Sequence, residues 1–263
     1  MADRQSSQPE SDIQPVHAGV PWNPWLGMVF AVAALFLSQY MADLLLSIYP
    51  FIRGWSAVQA NNWFNHSVSV QFLTIFISEI LVVYAVYLWL KHFKRQLKDI
   101  GLKMIRWLDG IRALIAYPVY MILFWLLLTG ATLLFPSINV NQAQHIGFSS
   151  VHGYYQLILT FIGLVIIVPI AEEILFRGFL FSSLKKGLPV ILAGILTSVI
   201  FAGLHLPEGG RAGPLWVGAI DTFSLSLVLV YLRQKTGSLW SGICLHALKN
   251  GVAFVILFVR PPF

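Results

Sequence analysis

Ile170-Ala171-Glu172-Glu173-Ile174-Leu175-Phe176-Arg177-Gly178 places two adjacent carboxylates and a guanidinium inside an otherwise apolar stretch running from Leu157 to Phe181. No charged residue precedes the pair from Leu157 to Ala171, a run long enough to carry it well inside a bilayer. Charged side chains at that depth are costly, and they almost always face a partner or a wet cavity. On a helix, Glu173 and Arg177 are four apart and share a face, while Glu172 points about 100° away. Arg177 can therefore neutralise Glu173 and leave Glu172 free for other work. The question for the rest of the chain is what Glu172 faces.

The composition of the 263 residues, 57% hydrophobic and 11% charged, excludes a soluble globular domain and defines a polytopic helical membrane protein. The net charge of +6 does not signal nucleic-acid binding, because most basic residues lie in short connections between apolar stretches. A single cysteine, Cys244, lies inside an apolar run, which excludes both a disulfide framework and a cysteine metal cluster.

Seven candidate spans fall at roughly 25–49, 68–90, 111–135, 155–181, 188–206, 214–232 and 238–259, each near the ~20 residues needed to cross ~30 Å. The predicted architecture is all-α, a transmembrane bundle of these spans. Residues 1–22 read as a disordered cytoplasmic tail and 23–263 as one membrane domain. Trp22 and Trp25 flank Pro24 as interfacial aromatics do. Lys91-His92-Phe93-Lys94-Arg95, Lys98, Lys103, Arg106, Lys185, Lys186, Arg233 and Lys235 fall on one side of the bundle, against only Arg53, Arg211 and Arg260 on the other. The positive-inside rule then puts the N-terminus in the cytoplasm and the C-terminus outside. No internal repeat is evident, which argues against a transporter built from inverted repeats.

The spans also hold Asp43, Glu79, His205, Asp221 and His246. His205 closes Phe201-Ala202-Gly203-Leu204-His205, and His246 shares a helical face with Asn250, four residues on. At 1.5 Å per residue, Glu172 lies ~21 Å and His205 ~28 Å from the turn at Lys185–Gly187, and His246 lies ~14 Å past the turn at Thr236–Gly237. Helix tilts of ~20° and unequal loop lengths allow these depths to converge. A glutamate, two histidines and an asparagine suffice for peptide hydrolysis without a covalent intermediate. The carboxylate takes a proton from water, one histidine orients that water, and His and Asn donors meet the oxyanion. Each residue also has a structural reading. An acidic pair can anchor a span's end, a lone histidine is usually hydrogen-bonded packing, and Asn250 can be interhelical glue. Phe201 reads as packing, and Asp43, Glu79 and Asp221 as helix–helix contacts or cavity lining. Neither G-x-S-x-G nor H-E-x-x-H is present.

Together the motifs resemble the CPBP family of intramembrane endopeptidases, also called the CAAX-protease or abortive-infection family. Its E-E-x-x-x-R matches Glu172 to Arg177, its F-x-x-x-H matches Phe201 to His205, and its histidine with Asn or Asp four on matches His246 to Asn250. Thr236-Gly237-Ser238-Leu239-Trp240 also resembles the family's lead-in to that histidine, so the likeness covers about residues 155 to 255. The resemblance implies a glutamate-dependent protease in which Glu172 and His205 activate water and His246 and Asn250 form the oxyanion site, with Glu173 and Arg177 in support. It implies no metal and no cofactor. Its expected partners are the lipid bilayer and a membrane protein or peptide substrate. A bacterial plasma membrane is the expected location, since no organellar targeting signal is evident. A zinc protease using the same residues and a non-catalytic membrane scaffold or immunity protein are the alternatives. The G-x-x-x-G spacings do not settle an oligomeric state.

Overall fold

The computed structural model describes residues 19–148 and 150–259, so the expected tail as far as residue 18, with Arg4, and Arg260 lie outside the described residues. Among the described residues seven helical segments are long and apolar enough to cross a membrane. They are α1 (Pro24–Ile52), α3 (Val68–His92), α4 (Trp107–Leu134), α5 (Tyr154–Gly187), α6 (Val190–Gly203, extended by a 3-10 turn over Leu206–Ala212), α7 (Trp216–Thr236) and α8 (Trp240–Val259). A short helix, α2 (Ala57–His66), joins α1 to α3. The chain is thus an all-α, multi-pass integral membrane protein.

Local chemistry sets the ends of these helices. Asn23 accepts hydrogen bonds from the backbone of Trp25 and Leu26, and Pro24 occupies the first turn of α1, where its missing N–H costs nothing. A capping box between Ser56 and Gln59 starts α2. Gly237, with φ +62°, ends α7 in the left-handed conformation that glycine adopts freely.

α5 is the central helix, packed by α1, α3, α6, α7 and α8. In the most apolar part of each span, 39% of α5 and 50% of α7 is buried inside the protein, against 22% of α1, α3 and α4, whose remaining surface is left for lipid. One core surrounds Ile174–Leu184 and takes side chains from α1, α3, α6 and α8; a second lies between α4, α7 and α8. Trp22, read from sequence as an interfacial residue at the end of a tail, is instead a core residue at 2% exposure. Its ring stacks on Phe179 at 5.2 Å and its indole N–H donates to Ser183 Oγ at 2.7 Å. The hydrogen bond gives the indole a polar partner inside the protein, so this tryptophan needs no headgroup region. Trp25 is half-exposed, as an interfacial aromatic is.

α5 is not a regular helix. Two wider π-helical stretches, Ile162–Ile167 and Glu173–Leu180, flank a single α-helical turn, Val168–Glu172, which contains Pro169. Such wide turns are uncommon and gather at functional sites.

Candidate active site

The two glutamates of α5 occupy different environments. Glu173 is fully buried, and its Oε1 accepts from Arg177 Nη1 at 2.8 Å, so the i,i+4 pair expected from spacing is formed. The Arg177 guanidinium lies 4.3 Å from the centre of the Phe201 ring, a cation–π contact in a dry interior. Gly242 of α8 permits this burial. A Cβ there would come within 2.9 Å of Glu173 Oε2.

Glu172 instead lines a cavity of about 320 Å³ together with His205, His246 and Asn250. The structure brings the four side chains to one place from three helices, α5, the end of α6, and α8. A second cavity of about 300 Å³, bordered by α1, α3 and Phe201, also reaches Glu172 and His205.

His246 sits between both glutamates. Its Nδ1 lies 3.3 Å from Glu173 Oε1 and its Nε2 lies 3.6 Å from Glu172 Oε2. Glu173 therefore holds the ring with Nδ1 as donor and leaves Nε2 toward Glu172 and the cavity. His205 is fixed in the same manner. Its Nδ1 donates to the Phe201 carbonyl at 2.8 Å, so the proton sits on Nδ1 and the Nε2 lone pair faces outward. α6 ends at Gly203, four residues ahead of Pro207, which releases His205 from the regular helix and lets it border the cavity. Phe201 is a packing residue as read, yet its position is central. Its ring centre lies 4.8 Å from that of His205, 6.1 Å from His246 and 4.9 Å from Phe176.

Three further residues in the cavity wall are ionisable. Glu79 of α3 borders both cavities and a third, apolar one of about 450 Å³ against α5. From sequence it read as a contact or lining residue, and lining is what the structure gives. Glu208 and Lys249 were not singled out. Glu208 lies in the 3-10 turn, with Oε1 3.9 Å from His205 Nε2. Lys249 Nζ is held by Asp221 Oδ2 at 3.0 Å, and Asp221 also accepts from the Tyr120 hydroxyl. Lys249 directly precedes a motif residue and Glu208 follows another by three, which was the available signal. The loop before α5 roofs the cavity, because His145 N–H donates to the Glu208 carbonyl at 2.8 Å and Gln144 Nε2 reaches Glu208 Oε2. Asp43 takes no part and bonds to Gln39 on the exposed face of α1. Among the described residues, no three His, Cys, Asp or Glu side chains converge closely enough to hold a metal ion.

Carboxylates and imidazoles gathered at an internal cavity of a membrane bundle are groups that can take up and release protons. Residues 154–252, the segment from α5 to α8 that carries Glu172, His205, His246 and Asn250, match the family described as type II CAAX prenyl endopeptidase Rce1-like. The chain is also similar to the UPF0177 protein YxdF of Lactococcus lactis subsp. lactis (strain IL1403), at 27% identity over 174 residues, covering 65% of this chain and 88% of that protein. No solved structure matches the chain.

Proposed function

We propose that the protein is an intramembrane endopeptidase that hydrolyses peptide bonds with a water activated by Glu172 and His205. The observation that carries this reading is the position of His246 between the two glutamates, at the wall of a cavity that His205 also borders. Glu172 and the bare Nε2 of His205 are proton acceptors on that wall. In the proposed reaction, water gives a proton to Glu172 as its oxygen bonds the scissile carbonyl carbon, and the carbonyl electron pair moves to oxygen. Glu172 hands the proton to His246 Nε2, where Glu173 balances the new imidazolium. The resulting Nε2–H then faces the oxyanion. On collapse the C–N bond breaks and the proton returns through Glu172 to the leaving nitrogen, giving a carboxylic acid and an amine.

The substrate is a membrane-associated protein or peptide, and the bilayer is the working environment. The lysine- and arginine-rich connections, 91–106 among them, face the cytoplasm of a bacterial plasma membrane with the C-terminus outside. Cysteine labelling checks this orientation: residues 91–106 should react only from the cytoplasmic side, and labelling from outside would reverse it.

The reading is tested with purified protein in proteoliposomes and a set of membrane-tethered peptides. The parent protein should cleave at defined bonds and Glu172→Gln should not. Elemental analysis should find no stoichiometric zinc, and chelators should leave the rate unchanged. One zinc per chain, lost together with activity in His205→Ala, would replace this mechanism with a metalloprotease. A parent protein that cleaves none of them, with its cavity residues intact, would favour a scaffold or immunity role.

A further inference from the structure

The wide turn that precedes the glutamates is missing one of its own hydrogen bonds. Within Ile162–Ile167 the backbone bonds run five residues back, and Val168 N–H donates to the Gly163 carbonyl. The next rung in that register would run from residue 169 to the Leu164 carbonyl. Residue 169 is a proline and has no N–H to give. Within a membrane span an unmade backbone hydrogen bond is costly, since no lipid group replaces it.

Asn250 supplies the missing donor. Its Nδ2 lies 2.9 Å from the Leu164 carbonyl, a contact between α8 and α5 across 86 positions of sequence. The helices are close at this level, for a Cβ on Gly251 would lie 3.6 Å from a methyl of Val165. One turn earlier on α8, His246 engages Glu173 and Glu172. α8 thus grips α5 at two points, one on each side of Pro169, and the short turn Val168–Glu172 is suspended between them.

Resting on the hydrolase reading above, we propose that Asn250 is a positioning residue whose amide completes the helix at Leu164 in place of Pro169 and thereby sets where Glu172 stands. This differs from the oxyanion role that the sequence resemblance implied for it. An asparagine that donates to a backbone carbonyl of its own protein has that N–H committed before substrate arrives.

The test is a double-mutant cycle of Asn250→Ala and Pro169→Ala, read in kcat, in KM and in the thermal unfolding of the full-length protein in detergent. Pro169→Ala restores an N–H at the position where the Leu164 carbonyl lacks one. Asn250→Ala alone should lower Tm and reduce kcat about tenfold or more with KM changed less than about threefold; in the Pro169→Ala background the same substitution should cost less than about threefold in kcat and leave Tm nearly unchanged. Equal losses in both backgrounds would overturn the proposal and return Asn250 to the oxyanion. The Tm cycle needs no turnover. It decides the structural coupling even if no peptide is cleaved, so failure of the hydrolase reading and failure of this inference are told apart.

Discussion

The two halves of the bundle bury different things. α1 and α4 bury small residues against their neighbours, such as Ala31, Ala34, Ala42, Ala113 and Ala116, α3 buries mainly valines, and all three helices turn many large apolar side chains outward. α5 to α8 bury Glu173, Arg177, Thr197, Ser198, Ser224, Ser226, Ser241 and His246. In lipid, apolar side chains gain little by choosing a neighbouring helix over the bilayer, so close approach and polar partners decide which helices meet. In the C-terminal half, cross-helix polar contacts tie specific helices together, His246 to Glu173 and Asn250 to the Leu164 carbonyl. Thr197, Ser198 and Ser224 bond back to carbonyls of their own helices. The N-terminal half buries fewer polar groups, Ser38, Ser78 and Asp109 among them. Polar links also join the halves: the Trp22 indole donates to Ser183, the Tyr120 hydroxyl to Asp221, and the Ser241 hydroxyl to Asp109 at 2.6 Å.

This contrast makes substitutions in the two halves separable. Glu172→Gln should have the largest effect, a loss of roughly two to four orders of magnitude in turnover with unfolding temperature unchanged, since it removes a general base and keeps size. Equal rates for variant and parent would remove the distinction between a working half and a supporting half. Arg177→Ala should lose activity through instability. It strands the buried Glu173 carboxylate, and breaking a buried pair typically costs ~3–5 kcal/mol. Lower expression and a lower Tm in detergent check it, and an inactive variant with parental Tm would mean that Arg177 acts in the chemistry.

Across the boundary between the halves, a Cβ at Gly27 of α1 would fall 2.6 Å from Ser183 Oγ and 2.7 Å from Ser183 Cβ on α5. Gly27→Ala should therefore destabilise by about 1–3 kcal/mol through overpacking, with turnover per folded molecule unchanged. Turnover falling further than the folded fraction would show that α1 positions the site. The smallest effect belongs to Asp43→Asn on the lipid-facing side of α1, where only Gln39 responds. Stability should move by less than about 0.5 kcal/mol, and a larger loss of Tm would show that the N-terminal half also depends on its polar groups.

The same contrast explains what could be read from the amino-acid sequence. The seven spans were legible because hydropathy reports lipid exposure directly; the expected 68–90 and 238–259 are close to the observed Val68–His92 and Trp240–Val259. The Glu173–Arg177 pair was legible because it is local, fixed by spacing on one helix. The convergence of Glu172, His205, His246 and Asn250 was only suggested, since depth along each span depends on tilt and loop length. The link from Asn250 to Leu164 was illegible, as it needs both the wide turn and the packing of α8 on α5. Trp22 was misread for a related reason. Sequence gives a tryptophan beside a proline at a span's start, and only the fold supplies Ser183 as its partner. The short helix α2 and the cavity roles of Glu208 and Lys249 likewise come from tertiary placement.

The central claim is that Glu172 makes this membrane bundle a protease. The most direct measurement compares newly formed protein N-termini in membranes of cells lacking the protein and supplied with either the parent chain or Glu172→Gln at equal abundance. The account predicts a set of termini present with the parent and absent with Glu172→Gln, lying in or beside membrane-associated segments. Identical sets of termini in the two membranes would contradict it.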